Sequence, residues 1–307
     1  MDIISWLESG DVVLKSLVIN TLLDKKFSHE NQGIIDRYLN LYNTKEKMWD
    51  GIYNPLWTSN HYTLLELKYM QINPEHPIYQ EATEKLLNHL WFNKGKVNGK
   101  RYQDMCMSAM LLSLITYGKF ADERIFEIID YILTHQLADG GWNCAWDSVH
   151  NKSSKSSLHT TISVLEAFRD YEKYGYTYRL DEVKEKVVQG QGILLKRELF
   201  KNSEGISINQ DMITFHYPTR YKYDCFRALE YFVSIKKPFD IRMNDAINLV
   251  KEQIIKGYIN TGKQYTGKVH FKLENSNKGR FNTYRALLIL KFYDSKTYNK
   301  IIANAQV

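Results

Sequence analysis

Apolar residues recur along this chain in blocks that have the spacing of helices, and polar loops separate the blocks. Five blocks share one pattern, a polar loop that leads into an apolar run: 57–67, 102–114, 158–168, 221–232 and 280–290. Apolar groups three and four residues apart predict α-helices rather than strands. A more amphipathic run follows each block, so the repeating unit is a pair of helices.

One leucine of each block marks the period of the repeat. Successive copies lie about 47 to 64 residues apart when these leucines are aligned: Leu65, Leu112, Leu165, Leu229 and Leu287. A helix-pair repeat of this length is typical of a solenoid or of a closed ring of hairpins. An earlier apolar run, 12–24, predicts a first helix that caps the array.

The alternation of apolar and amphipathic helices favours two concentric layers, with the apolar helices inside and the amphipathic helices outside. Almost no stretch has the alternating pattern of a β-strand, and no linker rich in Pro, Gly or Ser divides the chain. The sequence therefore predicts an all-α protein with a single domain over residues 1–307.

Charge and composition narrow the classes of function. The net charge is +6 with Lys and Glu mixed throughout, so we expect no nucleic-acid partner. No apolar run is long enough to predict a transmembrane helix, and the N-terminus lacks the basic region of a secretory signal. Three cysteines cannot form a disulfide framework and fit a reducing compartment, so we expect a cytoplasmic protein.

Aromatic residues are abundant, with 22 Tyr, 13 Phe and 6 Trp. Such a content can fill a large core and its interfaces, or it can line a wide apolar cavity. Both interpretations stay open at the level of composition.

The most recognisable motif is residues 136–142, which read Gln-Leu-Ala-Asp-Gly-Gly-Trp. It resembles the Gln-x-x-x-Gly-x-Trp repeat of squalene and oxidosqualene cyclases, and the Asp-Gly-Gly turns of protein prenyltransferase β subunits. The resemblance implies an (α/α) toroid barrel of about five to six helical hairpins around an apolar cavity. We expect Gly140 and Gly141 to form a turn with positive φ, and Gln136 to bond exposed backbone beside a stacked Trp142.

A second set of residues distinguishes between these families. The Asp-x-Asp-Asp segment of acid-initiated cyclases is missing from the sequence. Prenyltransferase β subunits bind zinc through an Asp-x-Cys at one inner helix and a His at the next, which resembles Asp104, Cys106 and His159. Basic residues near that point hold the diphosphate in the family, which implies such a role for Lys100 and Arg101. Leu158 departs from the family, which has a tyrosine there.

Asp104, Cys106 and His159 are therefore the candidate zinc ligands and catalytic residues, and Cys106 and His159 lie equally far upstream of their aligned leucines. Three protein ligands would leave one zinc position open for catalysis. Each residue also has an ordinary structural interpretation, as a helix cap, a small buried thiol or a core histidine. Cys144 could replace or add to a ligand.

The remaining candidates would bind substrate. They are basic or aromatic residues in loops and at helix starts: Lys100, Arg101, Trp57, Tyr102, Trp142, Tyr223 and Arg280. Arg227 and Arg285 recur in register with Glu66, Glu166 and Glu230, which predicts structural ion pairs between helices.

The resemblance implies a zinc-dependent, prenyltransferase-like enzyme with a deep aromatic pocket for an isoprenoid or another elongated apolar molecule. Two alternatives stay open: a cyclase-like or hydrolytic enzyme on the same ring, and a non-catalytic scaffold or lipid-binding protein. Whether a partner subunit is needed stays undetermined.

Overall fold

The computed structural model describes residues 1–92, 96–97, 100–101, 104–145, 153–254, 256–262 and 265–304. Within these ranges the protein is mostly helical, and its β structure consists of short two-residue ladders and isolated bridges. The all-α prediction is confirmed, whereas closure into a barrel stays a prediction. No helix in these ranges is long and apolar enough to cross a membrane.

The chain forms two compact units. The middle unit comprises residues 41–194, and the terminal unit comprises residues 1–40 together with residues 195–307. Compact units of this kind occur within single domains as well as between domains. The predicted single domain over residues 1–307 therefore stays a prediction.

The described part of the middle unit contains six helices and one short ladder. The helices are α1 (Asn60–Tyr69), α2 (Pro77–Phe92), α3 (Met105–Tyr117), α4 (Arg124–Thr134), α5 (Leu158–Lys173) and most of α6 (Leu180–Lys196). The antiparallel ladder pairs β1 (Lys96–Val97) with β2 (Lys100–Arg101). Pro77 is the first residue of α2, a position that suits proline because the amide that it lacks would have no partner within the helix.

The predicted alternation of helix types is clear in this unit. Every residue of α3 except Cys106 is buried. In contrast, α4 buries one face of regularly spaced apolar side chains, including Ile125, Ile128 and Ile132. The two helices that pack together most extensively are α3 and α5, which both belong to the apolar set.

The terminal unit is built from helices at both ends of the chain. They are α7 (Ile3–Glu8), α8 (Val12–Leu17), a π-helical continuation (Val18–Leu22), α9 (Ile34–Leu39), α10 (Cys225–Ser234), α11 (Asn244–Gln253), α12 (Arg280–Tyr293) and α13 (Ser295–Asn304). Short 3-10 turns lie at Gln210–Ile213 and Ile241–Met243, and β3 (Ile259–Asn260) pairs with β4 (Lys278–Gly279). All five predicted apolar runs thus contain a helix, and the run 12–24 is helical as far as Leu22.

Residues 136–142 bond to and pack against three helices of the middle unit. The Trp142 side chain is fully buried, and its indole N–H donates to the Ile132 carbonyl oxygen at 2.8 Å. Ile132 lies in the last turn of α4, where carbonyls have no partner within the helix. The Gln136 amide donates to the carbonyls of Gly140 and Lys186, the latter within α6. The backbone-bonding role predicted for Gln136 is confirmed.

The two glycines of this segment serve different purposes. Gly140 has a φ of 95°, as the predicted turn requires. Gly141 does not have a positive φ, so that part of the prediction is wrong. A Cβ on Gly141 would lie 2.5 Å from the Ser156 Cβ and 2.8 Å from the Thr161 hydroxyl. Gly141 is therefore needed for a close approach to the start of α5.

A buried carboxylate joins three helices near the opposite ends of α3 and α5. The Asp170 carboxylate accepts a hydrogen bond from the Ser113 hydroxyl at 2.6 Å. The same carboxylate lies 2.7 Å from the Lys68 ammonium. Burial acts to raise the pKa of Asp170, but the Arg169 and Lys68 cations and these hydrogen bonds hold it well below its ordinary value.

A buried arginine has the equivalent role in the terminal unit. Arg285 is fully buried, and its Nε lies 2.7 Å from the Glu230 carboxylate, so this predicted ion pair is confirmed. The same guanidinium lies 3.5 Å from the Asp224 carboxylate and donates to the His216 carbonyl at 2.7 Å. Arg227, in the first turn of α10, donates to the Lys222 carbonyl in the segment that precedes this helix.

Replacing this arginine tests the network. Because Arg285→Met would leave the Asp224 and Glu230 carboxylates without their common cation, we expect a loss of about 3–5 kcal/mol in the free energy of unfolding. The matched control is Arg242→Met, since Arg242 is exposed and pairs with Asp240. The control should change stability by less than about 1 kcal/mol. Urea denaturation measures both, and equal shifts would contradict the assignment.

Two glycines of α6 provide a test of the Trp142 packing. A Cβ on Gly190 would lie 2.8 Å from the Trp142 ring, whereas a Cβ on Gly192 would meet nothing within 4 Å. We expect Gly190→Ala to destabilise the protein by about 1–3 kcal/mol through overpacking. Gly192→Ala should stabilise it by up to about 1 kcal/mol through helix propensity. Thermal unfolding compares the two variants, and shifts of the same sign would disprove the packing explanation.

Candidate functional site

The start of α3 supplies the first two candidate residues. Asp104 occupies the N-cap position, and its side chain does not bond the helix amides. Cys106 lies in the first turn and is half-buried, unlike its fully buried neighbours Met105 and Met107. The polar groups of this sequence motif therefore lie at the half-buried start of an otherwise apolar helix.

Cys144 lies against this helix start. Its sulfur is 3.2 Å from the Cys106 sulfur and 3.4 Å from the Cys106 amide nitrogen, which donates to it. The Thr160 hydroxyl, in the first turn of α5, lies 3.6 Å from the same sulfur. Three potential donors thus surround one sulfur atom, an arrangement that favours a thiolate.

The environment separates the acidities of the two thiols. The hydrogen bond with the Cys106 side chain, supported by the Cys106 amide and the Thr160 hydroxyl, lowers the pKa of Cys144 to about 7 despite its burial. Hydrogen bonding to Cys144, together with burial, raises the pKa of Cys106 well above its usual range. The Asp104 carboxylate raises the pKa of both thiols, which places its charge close to the pair.

His159, the third predicted zinc ligand, is the second residue of α5 and is half-buried. It directly precedes Thr160, and its carbonyl accepts a hydrogen bond from the Ser163 hydroxyl. Across the described ranges, no three His, Cys, Asp or Glu side chains converge as a metal ion would require. The structure thus brings the Cys106 and Cys144 sulfurs into contact, but among the described residues neither Asp104 nor His159 completes a group of three with them, and zinc stays a prediction.

The predicted anion-binding residues lie mostly beyond what the structure describes. Lys100 and Arg101 form strand β2, for which only the backbone is described, and Tyr102 lies outside the described residues. The ladder of β1 and β2 ends shortly before Asp104, so these basic residues are close in sequence to the start of α3.

The aromatic candidates are core side chains in this structure. Trp57 is 3% exposed and packs edge-on against Tyr62, with ring centroids 4.7 Å apart. Trp142 is fully buried in the segment described above. Tyr223, in the terminal unit, is 1% exposed and donates to the Leu199 carbonyl at 2.5 Å.

Arg280, the remaining candidate, begins α12 in the terminal unit. Its guanidinium lies 4.6 Å from the Trp6 ring centroid and donates to the Trp6 carbonyl and to the Ser9 hydroxyl. Its backbone amide donates to the Glu274 carboxyl at 2.5 Å. Burial raises the pKa of Glu274 to about 7, although the amides of Arg280 and Phe281 act in the opposite direction.

The sequence offered Cys144 only as a replacement or additional ligand, and it did not predict the contributions of Thr160 and Glu274. A signal for Cys144 was present, because it follows Trp142 so closely that fixing the indole also restricts the thiol. Thr160 adjoins a predicted ligand on the same helix turn. Glu274 lies in a loop without periodicity, so the sequence held no comparable sign.

Comparison of the chain with protein-family models and with curated proteins finds no match. The assignment of a function therefore depends on the geometry of the residues themselves.

The Glu274 carboxyl predicts a pH dependence of stability. The folded state holds its proton up to about pH 7, against an ordinary value of 4.5, so its contribution to stability is complete below about pH 4.5 and is lost as pH rises through 7. Glu274→Gln stays neutral and should gain about 1–2 kcal/mol over the wild type at pH 8, but little at pH 4.5.

Urea unfolding at both pH values measures this difference. The matched control is Glu204→Gln, which alters an exposed side chain of the same unit. A stability gain for Glu274→Gln that does not change with pH would rule out titration of this carboxyl as its cause.

Proposed function

We propose that the start of α3 is a zinc–thiolate centre and that the chain is a prenyltransferase-like enzyme acting on an isoprenoid or a similar elongated apolar molecule. The observation that carries the proposal is the meeting of the Cys106 and Cys144 sulfurs, 3.2 Å apart, beside the Asp104 carboxylate. Thiolate sulfur with carboxylate oxygen or imidazole nitrogen is a ligand set that zinc accepts in proteins.

The spacing of the sulfurs is compatible with this metal. With zinc–sulfur bonds of about 2.3 Å, a tetrahedral ion holds two sulfurs roughly 3.7 Å apart. The observed pair would have to open by about 0.5 Å, which is within the reach of side-chain rotation. Asp104, Cys106 and one further ligand, either Cys144 or His159, would hold the ion and leave a fourth position for substrate.

The remaining residues support a group transfer. Zinc in an open site would keep an acceptor thiol in its thiolate form at neutral pH. Lys100 and Arg101, which directly precede this region in the chain, would offset the negative charge of a departing diphosphate. The aromatic content of the chain suits an apolar substrate that develops allylic cation character.

Metal analysis tests the zinc centre. Protein purified without chelator or added metal should contain about one zinc per chain, and Cys106→Ala should lose it. Cys144→Ala and His159→Ala identify the third ligand, since only the variant that removes a ligand should lose zinc. Cys225→Ala is the control, because Cys225 is fully buried in the terminal unit. A wild-type protein free of zinc would refute the proposal.

Substrate class is tested with three competitors in a dye-displacement assay. Farnesyl diphosphate should displace an apolar dye better than farnesol, and inorganic pyrophosphate should not displace it at all. Displacement by farnesol alone would instead favour the lipid-binding alternative. No displacement at high micromolar farnesyl diphosphate would exclude the isoprenoid.

A further inference from the structure

The two half-buried cysteines of the middle unit are placed for covalent pairing. Their sulfurs are 3.2 Å apart, and a disulfide bond is about 2.05 Å long. The sulfurs must therefore approach by about 1 Å. Cys144 lies on a bend rather than within a helix, so its side chain and backbone are free of the restraint of a helical hydrogen-bond ladder.

The surroundings of the pair favour reaction at one sulfur. The Cys144 sulfur lies 3.2 Å from the Cys106 sulfur, accepts from the Cys106 amide and lies within reach of the Thr160 hydroxyl. Donors that converge on a sulfur stabilise the thiolate, which is the form that reacts with peroxides. Cys106 then lies where a resolving thiol must be.

Access and composition make this pairing specific. Cys106 and Cys144 each keep part of their surface exposed, whereas Cys225 is fully buried. The chain contains three cysteines in all, so the pair has no intramolecular competitor within reach of solvent.

We propose that Cys106 and Cys144 are a redox modification site, which a hydroperoxide converts to an intramolecular disulfide and which a dithiol restores. The Cys144 thiolate attacks the distal peroxide oxygen, forming a sulfenic acid and releasing water or an alcohol after proton uptake. The Cys106 sulfur then attacks the sulfenic sulfur, forming the S–S bond, and its proton leaves with the hydroxyl as water. Two thiols are oxidised and one peroxide is reduced.

The disulfide has a consequence for the metal, and only this consequence rests on the function proposed above. Sulfurs joined in a disulfide can no longer act as thiolate ligands. Oxidation and zinc binding would therefore exclude one another at the start of α3, and peroxide would control how much of the protein carries the metal.

Mass spectrometry of the full chain tests the pairing without metal. Chelator-treated, reduced protein is exposed to stoichiometric hydrogen peroxide, unfolded, alkylated and digested. We expect a peptide pair linked through Cys106 and Cys144, with Cys225 recovered as the alkylated thiol. The pair should react at least about tenfold faster than Cys225. Over-oxidised Cys144 beside a free Cys106, an intermolecular link or no reaction would each overturn the proposal.

Two variants assign the order of the steps. Cys106→Ser should leave a sulfenic acid on Cys144 that dimedone traps, because the resolving thiol is gone. Cys225→Ala should form the disulfide as fast as the wild type. Trapping of sulfenic acid on Cys225 instead of Cys144 would refute the assignment, and the wild-type experiment stands even if a variant fails to fold.

A zinc arm separates the two proposals. Zinc added to the reduced protein should slow disulfide formation, and peroxide should then release the metal to a chromogenic chelator. Disulfide formation in a protein that binds no zinc would uphold the redox site and refute the zinc centre. Zinc binding in a protein that never forms the disulfide would do the reverse.

Discussion

Burial of a single indole organises the middle unit. Trp142 bonds the last turn of α4 through its N–H, receives the ring of Phe168 of α5 edge-on, and lies against Gly190 of α6. Its own amide donates to the Thr161 hydroxyl at 3.1 Å. A large side chain excluded from water in this way contributes apolar burial and gives a buried carbonyl its hydrogen bond. The helices α4, α5 and α6 thus all contact the same side chain.

The position of the cysteine pair follows from this constraint. Cys144 comes so soon after Trp142 that it must lie close to wherever the indole is held. The adjacent Thr161 and Thr160 belong to the first turn of α5, and α5 packs along α3. The Cys144 thiol therefore lies at the starts of α3 and α5. Amides at a helix start lack partners within the helix and can donate to a thiolate.

Much of the helical framework could be predicted from the sequence, because the spacing of apolar residues and the residues at helix starts are local properties. The five apolar runs all contain helices, and the Arg285–Glu230 pair followed from the rule that a buried charge needs a partner. The site is different, because its geometry depends on side chains that tertiary packing brings together. The sequence alignment predicted equivalent helix positions for Cys106 and His159. Equivalent positions do not determine which side chains come together. Gly141 illustrates the same limit, since its need for space arises from Ser156 and Thr161 rather than from its own turn.

Polar contacts at both ends hold α3 and α5 together, and the two ends differ in kind. At one end the buried Asp170 carboxylate contacts Ser113, Lys68 and Arg169. Separating the helices there would leave a charged group without its partner in the interior. At the other end the link is Cys144, which touches Cys106 of one helix and Thr160 of the other through sulfur alone. A hydrogen bond between two thiols can be replaced by a neutral disulfide bond, which leaves no unpaired charge at this end. The chemistry can therefore change at the cysteine end while the carboxylate end keeps the helix pair in register.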